Sequence, residues 1–229
     1  MTADFSDISV VIPVREGSSR VRDKIFLPFD GELTLLDWKI QQLKAVQRPD
    51  LIFLSSNSER VKAAADHHGV SYLPRSDYLS VGHQASFSEV ITGVVKDVPT
   101  NHFAWVTVVV PLMGPQDYRE GFNRYVENVC GTCEHDSLVS VNLLKEYFWD
   151  DHGPLNYKAD RDHTISQELP NLYRVTNGLY MRSKKETLAS GYFLGPNPYK
   201  FQVGKIAGLD IDEYEDYEMS VALKAMYKA

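Results

Sequence analysis

Two groups of side chains near opposite ends of this 229-residue chain have the types and spacing to handle phosphate. The first follows an apolar β-branched run, Ile8-Ser-Val-Val-Ile12, that empties into Pro13-Val-Arg-Glu-Gly-Ser-Ser-Arg-Val-Arg-Asp-Lys24. Such a run reads as a buried strand delivering an anion-binding loop. Gly17 lets backbone approach an anion, Ser18 and Ser19 add hydroxyls, and Arg15, Arg20, Arg22 and Lys24 supply charge for a polyphosphate. A solvated basic turn is the competing reading. The second group is Gly208-Leu-Asp-Ile-Asp-Glu213. In an extended segment residues two apart point the same way, so Asp210 and Asp212 could present both carboxylates to one hard divalent cation, with Ile211 turned into the core. Capping of the following helix by Asp212, with Glu215 three residues on, is the alternative, and the two roles can coexist. Together, a cationic loop and an Asp-x-Asp suit magnesium-dependent chemistry on a nucleoside triphosphate.

Composition narrows the classes. The net charge of -7 argues against a nucleic-acid binder, so the local cations read as a site. No apolar run approaches the length of a membrane span, and Met1 to Asp7 lack the basic start and apolar core of a signal peptide, so a soluble cytoplasmic protein is expected. The spacing of a Gly-x-x-x-x-Gly-Lys-Ser loop is absent, as are a Gly-x-Gly-x-x-Gly after the first strand and a Gly-x-Ser-x-Gly elbow. Cys130 and Cys133 form one Cys-x-x-Cys with only His135 near, and read as incidental thiols in a helix-ending loop. No histidine spacing suits zinc; His67 and His68 read as a solvated helix end, and His83 is a candidate for the pocket.

The elements that must carry these groups alternate strand and helix, the pattern of an α/β fold with helices on both faces of a mostly parallel sheet. Strands are expected at Ile8-Val14, Leu51-Ser55, Val70-Leu73, Phe103-Val110, Ser137-Val141 and Gly178-Met181. Helices are expected at Leu33-Val46, Ser58-His68, Ala85-Asp97, Gln116-Val129, Lys184-Ser190 and Glu213-Tyr227. Leu36, Ile40 and Leu43, like Tyr118, Phe122, Tyr125 and Val129, share one helical face and read as core. Phe103-Val110 is the most continuously apolar run and reads as a central strand whose end, Pro111-Leu-Met-Gly-Pro115, lies at the ligand-binding edge of the sheet. The irregular stretch at about 144–172 is too long for a bare connection and reads as an insertion that covers the site or joins a partner. Tyr147, Tyr157, Tyr173 and Tyr180 fall around it.

Val10 to Lys24 resembles the signature loop of the sugar-acid cytidylyltransferases, which activate sialic acid, related nonulosonic acids and Kdo as CMP sugars. The likeness continues through Leu33-Thr-Leu-Leu-Asp-Trp-Lys-Ile40, Leu51-Ile-Phe-Leu-Ser-Ser-Asn57, Gly69-Val-Ser-Tyr-Leu-Pro-Arg75, Tyr118-Arg-Glu-Gly-Phe122, the segment Leu169 to Tyr180, and Asp210-Ile-Asp212. The resemblance implies one nucleotidyltransferase domain over residues 1–229, Rossmann-like with a mixed sheet and a small dimerisation insertion, acting as a homodimer. It implies that CTP lies over the first loop. Pro13, Val14, Arg15, Gly17, Ser18, Lys24 and Arg75 would bind the nucleotide, Asp210 and Asp212 would hold Mg2+, and Arg15, Lys24 and Asp212 would be catalytic. An acidic sugar would then attack the α-phosphate and release pyrophosphate.

Departures from the family pattern gather on the acceptor side. Ile25 stands where the family usually has asparagine. The Gln-Pro-Thr-Ser-Pro-Leu-Arg element is here Thr107-Val-Val-Val-Pro-Leu-Met113, and an arginine that grips the substrate carboxylate aligns with Ser166. Thr107, Arg174, Asn177 and Tyr180 are the candidates for acceptor binding, and Lys158, Arg161 and Arg174 for replacement cations. A non-sugar acid such as a phosphonate, or a relative that binds nucleotide without catalysis, is the alternative outcome of these changes.

Overall fold

The computed structural model describes residues 4–17, 20–80 and 84–225. Ser18, Ser19 and His83 therefore lie outside the described residues, as does the expected helix end at Tyr227. In chain order the elements are β1 (Ile8–Pro13), β2 (Pro28–Asp30), β3 (Leu33–Thr34), α1 (Leu35–Lys44), β4 (Ile52–Ser56), α2 (Glu59–His68), β5 (Ser71–Pro74), α3 (Asp77–Ser80) and α4 (Phe87–Val95). They continue as β6 (His102–Trp105), α5 (Pro115–Tyr125), β7 (Ser137–Leu144), β8 (Trp149–Asp150), β9 (Gly153–Pro154), β10 (Leu172–Ser183), α6 (Lys184–Ser190), β11 (Pro198–Gln202) and α7 (Tyr214–Lys224).

Seven strands form one sheet in the order β11-β7-β10-β6-β1-β4-β5. Only β10 runs against both of its neighbours; the other pairings are parallel. Strand pleating sends Val10 and Ile12 to one face, against Leu36, Ile40, Tyr118 and Phe122 of α1 and α5. Val11 faces the other way, against Ile91, Val94 and Val95 of α4. Both faces are thus covered, as a largely parallel sheet requires. From β1 the chain steps outward to β4 and β5 and then returns to place β6 on the other side of β1. The crevice between the ends of β1 and β6 is therefore a topological switch point, where α/β sheets receive ligands.

The apolar run 103–110 does not form the expected eight-residue strand. β6 stops at Trp105, opposite Tyr180 of β10, because β10 is interrupted by a register shift between Val175 and Tyr180 and offers no continuous partner beyond. Val106, Val108 and Val110 remain buried as coil, and Val106 donates one last bond to Val11 O (2.9 Å). The segment is anchored from α1: Trp38 Nε1 and Gln42 Nε2 donate to Pro111 O (2.9 and 2.8 Å), and the buried Lys39 Nζ donates to Val110 O (2.8 Å), Met113 O (3.3 Å) and Tyr118 Oη (2.7 Å).

Other boundaries also differ from expectation. Leu33 and Thr34 pair with β2 instead of starting the helix, and α1 begins after Thr34, whose hydroxyl accepts from Asp37 N (3.1 Å) while Asp37 Oδ2 accepts from Thr34 N (2.9 Å). Thr34→Ala is expected to cost about 1 kcal/mol, read as a lower urea midpoint at unchanged slope. β10 is twelve residues long, and β11 has no counterpart in the sequence reading. α5 ends at Tyr125 and a π-helical turn, Val126–Gly131, follows and carries Cys130; Cys130 and Cys133 are free, exposed thiols. The insertion holds the short β8–β9 hairpin and exposes Trp149, Leu155 and Ile165. Within it Tyr147 and Tyr157 pack edge to face (4.6 Å), whereas Tyr173 and Tyr180 belong to β10. No helix among the described residues is long and apolar enough to cross a membrane.

Candidate functional site

Two adjoining recesses open at the switch point and share Pro13, Arg15 and Thr107. The first, of about 250 Å³, is built by the loop after β1 and by Thr107, Val108 and Val109. After Pro13, Val14 N still bonds Ser55 O (2.9 Å), and the chain then leaves the sheet with Arg15 exposed. Gly17 has φ 85° with open space around it, so glycine serves here for its backbone conformation. Arg15, Arg20 and Lys24 all line this recess, whereas Arg22 is 98% exposed and does not.

Lys24 does more than lend charge. It is buried, and its Nζ donates to Ile211 O (2.5 Å) and Asp212 O (3.3 Å), tying the loop to the acidic segment. Burial lowers its pKa, while the charges of Asp212 and Asp210 pull it back up. Ile211 is fully buried, as the alternation implied, and its N–H donates to Val109 O (2.8 Å); Asp212 on one side is exposed, while Asp210 on the other is half-buried. Asp212 Oδ1 accepts from Arg20 Nη2 at 2.5 Å. Asp210 Oδ2 accepts from Asn177 Nδ2 (2.7 Å), but its Oδ1 is buried with no hydrogen-bond partner among the described residues. Desolvation raises the pKa of Asp210, against the Asn177 bond that lowers it. The capping alternative for Asp212 falls to another residue: Asp216 Oδ2 accepts from the backbone N–H of Asp212 (2.9 Å) and Glu213 (2.8 Å) at the start of α7, leaving the Asp212 carboxylate to Arg20.

The second recess, of about 450 Å³, is mainly apolar. Arg75 lines it, buried, with Nε on Ser80 Oγ (3.1 Å) and Nη2 on Val14 O (2.9 Å), so it braces the strand end that carries Arg15. Burial first, and the neighbouring Arg15 charge second, lower its pKa. Asn177 sits in the irregular part of β10 at φ 58°. Its carbonyl accepts from Thr107 Oγ1 (2.7 Å) and its Oδ1 from Tyr180 Oη (2.6 Å), while its amide reaches Asp210. Three of the four acceptor candidates thus form one chain of contacts. Arg174 lines neither recess: its guanidinium donates to Asn142 Oδ1 (2.7 Å) and Gly208 O (3.3 Å), under the turn leading to Asp210. Lys158 and Arg161 lie exposed in the insertion.

The sequence reading missed Phe87, Trp105 and Phe193, which wall the second recess. They come from α4, β6 and the loop after α6, and no local spacing links them.

The geometry has counterparts. A cytidylyltransferase family profile matches residues 9–188. An N-acylneuraminate cytidylyltransferase of Streptococcus agalactiae is 26% identical over 218 residues, 90% of this chain and 51% of the relative. One of Escherichia coli is 21% identical over 223 residues, 95% of this chain and 52% of the relative. The chain therefore spans about half the length of the curated relatives it matches. Among solved structures, a CMP:2-keto-3-deoxy-manno-octonic acid synthetase complexed with CTP superposes with a TM-score of 0.68 at 14% identity, covering 96% of this chain and 99% of that one. A 4-diphosphocytidyl-2C-methyl-D-erythritol synthase of Anaerococcus prevotii gives 0.67 at 12% identity, covering 97% and 100%. Both share the fold.

Proposed function

Because the chain belongs to the cytidylyltransferase family, we propose that it transfers CMP from CTP to a hydroxyl of an acidic sugar and releases pyrophosphate. The observation that carries this reading is the first recess, walled by Arg15, Arg20 and Lys24, with Arg20 paired to the Asp212 carboxylate and Lys24 bonded to the Ile211 carbonyl between Asp210 and Asp212. The acceptor oxygen forms a bond to the α-phosphorus, the bond from that phosphorus to the bridging oxygen breaks, and the hydroxyl proton is lost. Arg15 and Arg20 balance charge on the triphosphate and the leaving pyrophosphate. Gly17 brings backbone amides to the phosphates, Pro13 and Arg75 line the crevice beside them, and Val14 is buried behind, its carbonyl held by Arg75. Lys24 acts through position, fixing the backbone of Ile211 and Asp212.

The residues fit a divalent cation. Asp210 carries a buried carboxylate oxygen with no partner among the described residues, and an all-oxygen donor set completed by substrate phosphates is what Mg2+ takes. Asp210 and Asp212 would hold it, and it would supply charge stabilisation at the α-phosphate. Burying a carboxylate oxygen without a ligand only costs stability, so that oxygen favours a cation-holding role for Asp210 over a purely structural one. An acidic sugar is favoured over other acceptors by the N-acylneuraminate relatives. The exposed Trp149, Leu155 and Ile165 suit a homodimer contact through the insertion, and a reaction that draws on CTP is compatible with a cytoplasmic protein.

Nucleotide choice can be tested by thermal shift. CTP with Mg2+ at 100 times its Kd is expected to stabilise the protein by about 2.7 kcal/mol, with ATP and GTP far weaker. Arg15→Gln, at an exposed position, is expected to remove most of that shift while the ligand-free melting temperature stays put. Stabilisation by ATP or GTP and not by CTP would contradict the assignment.

A further inference from the structure

The recess that would take the triphosphate is lined by two carboxylates, Glu16 and Asp23, as well as by Arg15, Arg20 and Lys24. Left bare, those two acids would oppose an anionic ligand. Both are met from α2. Arg60, its second residue, brings Nη1 to 3.9 Å from Glu16 Oε1 and 3.8 Å from Asp23 Oδ1, and its guanidinium lies over the Phe26 ring, 3.8 Å from the centroid. Ser58, whose hydroxyl caps α2 by accepting from Val61 N (3.3 Å), donates that hydroxyl to Glu16 Oε1 (2.5 Å). Glu16 and Phe26 stand on either side of the cationic loop, so one guanidinium spans it. Each contact alone is weak at a half-exposed site, but a single ordered side chain makes all three.

These contacts bear on the turn that aims Lys24. Asp23 has φ 49°, a left-handed conformation that costs a residue with a side chain, and a 3-10 turn, Lys24–Phe26, starts directly after it. The turn is closed by Phe26 N on Asp23 O (2.8 Å) and Leu27 N on Lys24 O (3.2 Å). Arg60 grips Asp23 and Phe26, the two ends of this turn, and between them Lys24 is directed inward to the Ile211 and Asp212 carbonyls. Arg22, the other cation beside Asp23, is 98% exposed and 4.0 Å away. Arg60 is not among the described residues that line either recess.

We propose that Arg60 is a positioning residue for the triphosphate loop: from α2 it takes up the charge of Glu16 and Asp23 and fixes the turn that aims Lys24, without touching the nucleotide. This rests on the cytidylyl-transfer reading and places one of its determinants outside the cleft.

Calorimetric titration of CTP with Mg2+ onto the full chain should give Arg60→Gln a Kd raised about tenfold, the penalty of a binding-competent loop populated about a tenth as often. Hydrogen exchange on the ligand-free proteins should show the Phe26 and Leu27 amides exchanging about tenfold faster in the variant, as expected for local opening of the turn. The melting temperature should stay put, because Arg60 is 56% exposed. Arg60→Lys keeps the charge and loses the planar face on Phe26, so its Kd and exchange should fall between the two. An unchanged Kd in Arg60→Gln would overturn the inference. A raised Kd with unchanged exchange would overturn it too, by putting Arg60 directly on the nucleotide. No binding of CTP by the wild type would instead sink the transfer reading, and exchange at Phe26 and Leu27 would still decide whether Arg60 holds the turn.

Discussion

Asp210→Asn is expected to lower kcat for pyrophosphate release by about 10³ while the protein stays folded. A metal-held charge at a reacting phosphate supplies several kcal/mol of transition-state stabilisation, and each 1.36 kcal/mol is tenfold in rate. Asparagine keeps the volume and can still meet Asn177, whose amide now donates to Asp210 Oδ2 at 2.7 Å. It loses the buried oxygen that has no partner among the described residues. Mn2+ titration followed by electron paramagnetic resonance, in the presence of CTP, should show the metal bound less tightly by the variant. Full activity in Asp210→Asn would mean that this carboxylate serves no metal. Asp212 has an exposed carboxylate shared with Arg20, so the two acids differ in how much of their function the free protein already occupies.

Lys39→Met is expected to lower stability by about 2–4 kcal/mol at neutral pH, because two buried carbonyls and the Tyr118 hydroxyl lose their partner, each at about 1–3 kcal/mol, against the relief of burying an amine. Val110, Met113 and Tyr118 are those partners. The variant should also change the pH dependence. Burial pushes the Lys39 amine well below the usual lysine range. A neutral amine keeps the same three contacts if the Tyr118 hydroxyl turns to donate. The unfolded chain binds this proton up to about pH 10.4, so unfolding takes up a proton between the folded and unfolded values. Stability therefore rises with pH through that window in the wild type, and this component disappears in Lys39→Met. Urea melts at pH 7 and pH 9.5 should show the gap between the two proteins widening with pH; a constant gap would mean the amine stays protonated.

The parts of this protein legible in its sequence are those set by local periodicity. The alternation at Val10, Val11 and Ile12 marks β1, and the stripes Leu36-Ile40-Leu43 and Tyr118-Phe122-Tyr125 are fully buried as read. Lys39 lies three residues after Leu36 and four before Leu43, on the same stripe, so a polar residue at a core position was the available signal for it. The run 103–110 misled because hydrophobicity reports burial, not pairing: Val106, Val108 and Val110 are buried but lie outside any strand. β11 buries little besides Phe201, and a strand with one inward residue leaves almost no pattern. The phosphate side of the site was legible since its cations are neighbours in sequence and its acids are two residues apart. The ring-lined recess was not, because Leu79, Phe87, Trp105, Tyr180 and Phe193 meet only through the sheet order. Lys24 was read as a triphosphate cation, and the fold gives it the further task of holding the Ile211 and Asp212 carbonyls.

The most direct measurement supplies CTP labelled at the α-phosphate, Mg2+ and a panel of acidic sugars, and follows both the label and pyrophosphate. Cytidylyl transfer predicts that label moves onto one acid in step with pyrophosphate, giving a product of mass acceptor plus CMP, and that omitting either Mg2+ or the acid stops both. Label remaining in CTP across the panel, or appearing only as free CMP with no acceptor adduct, would contradict it.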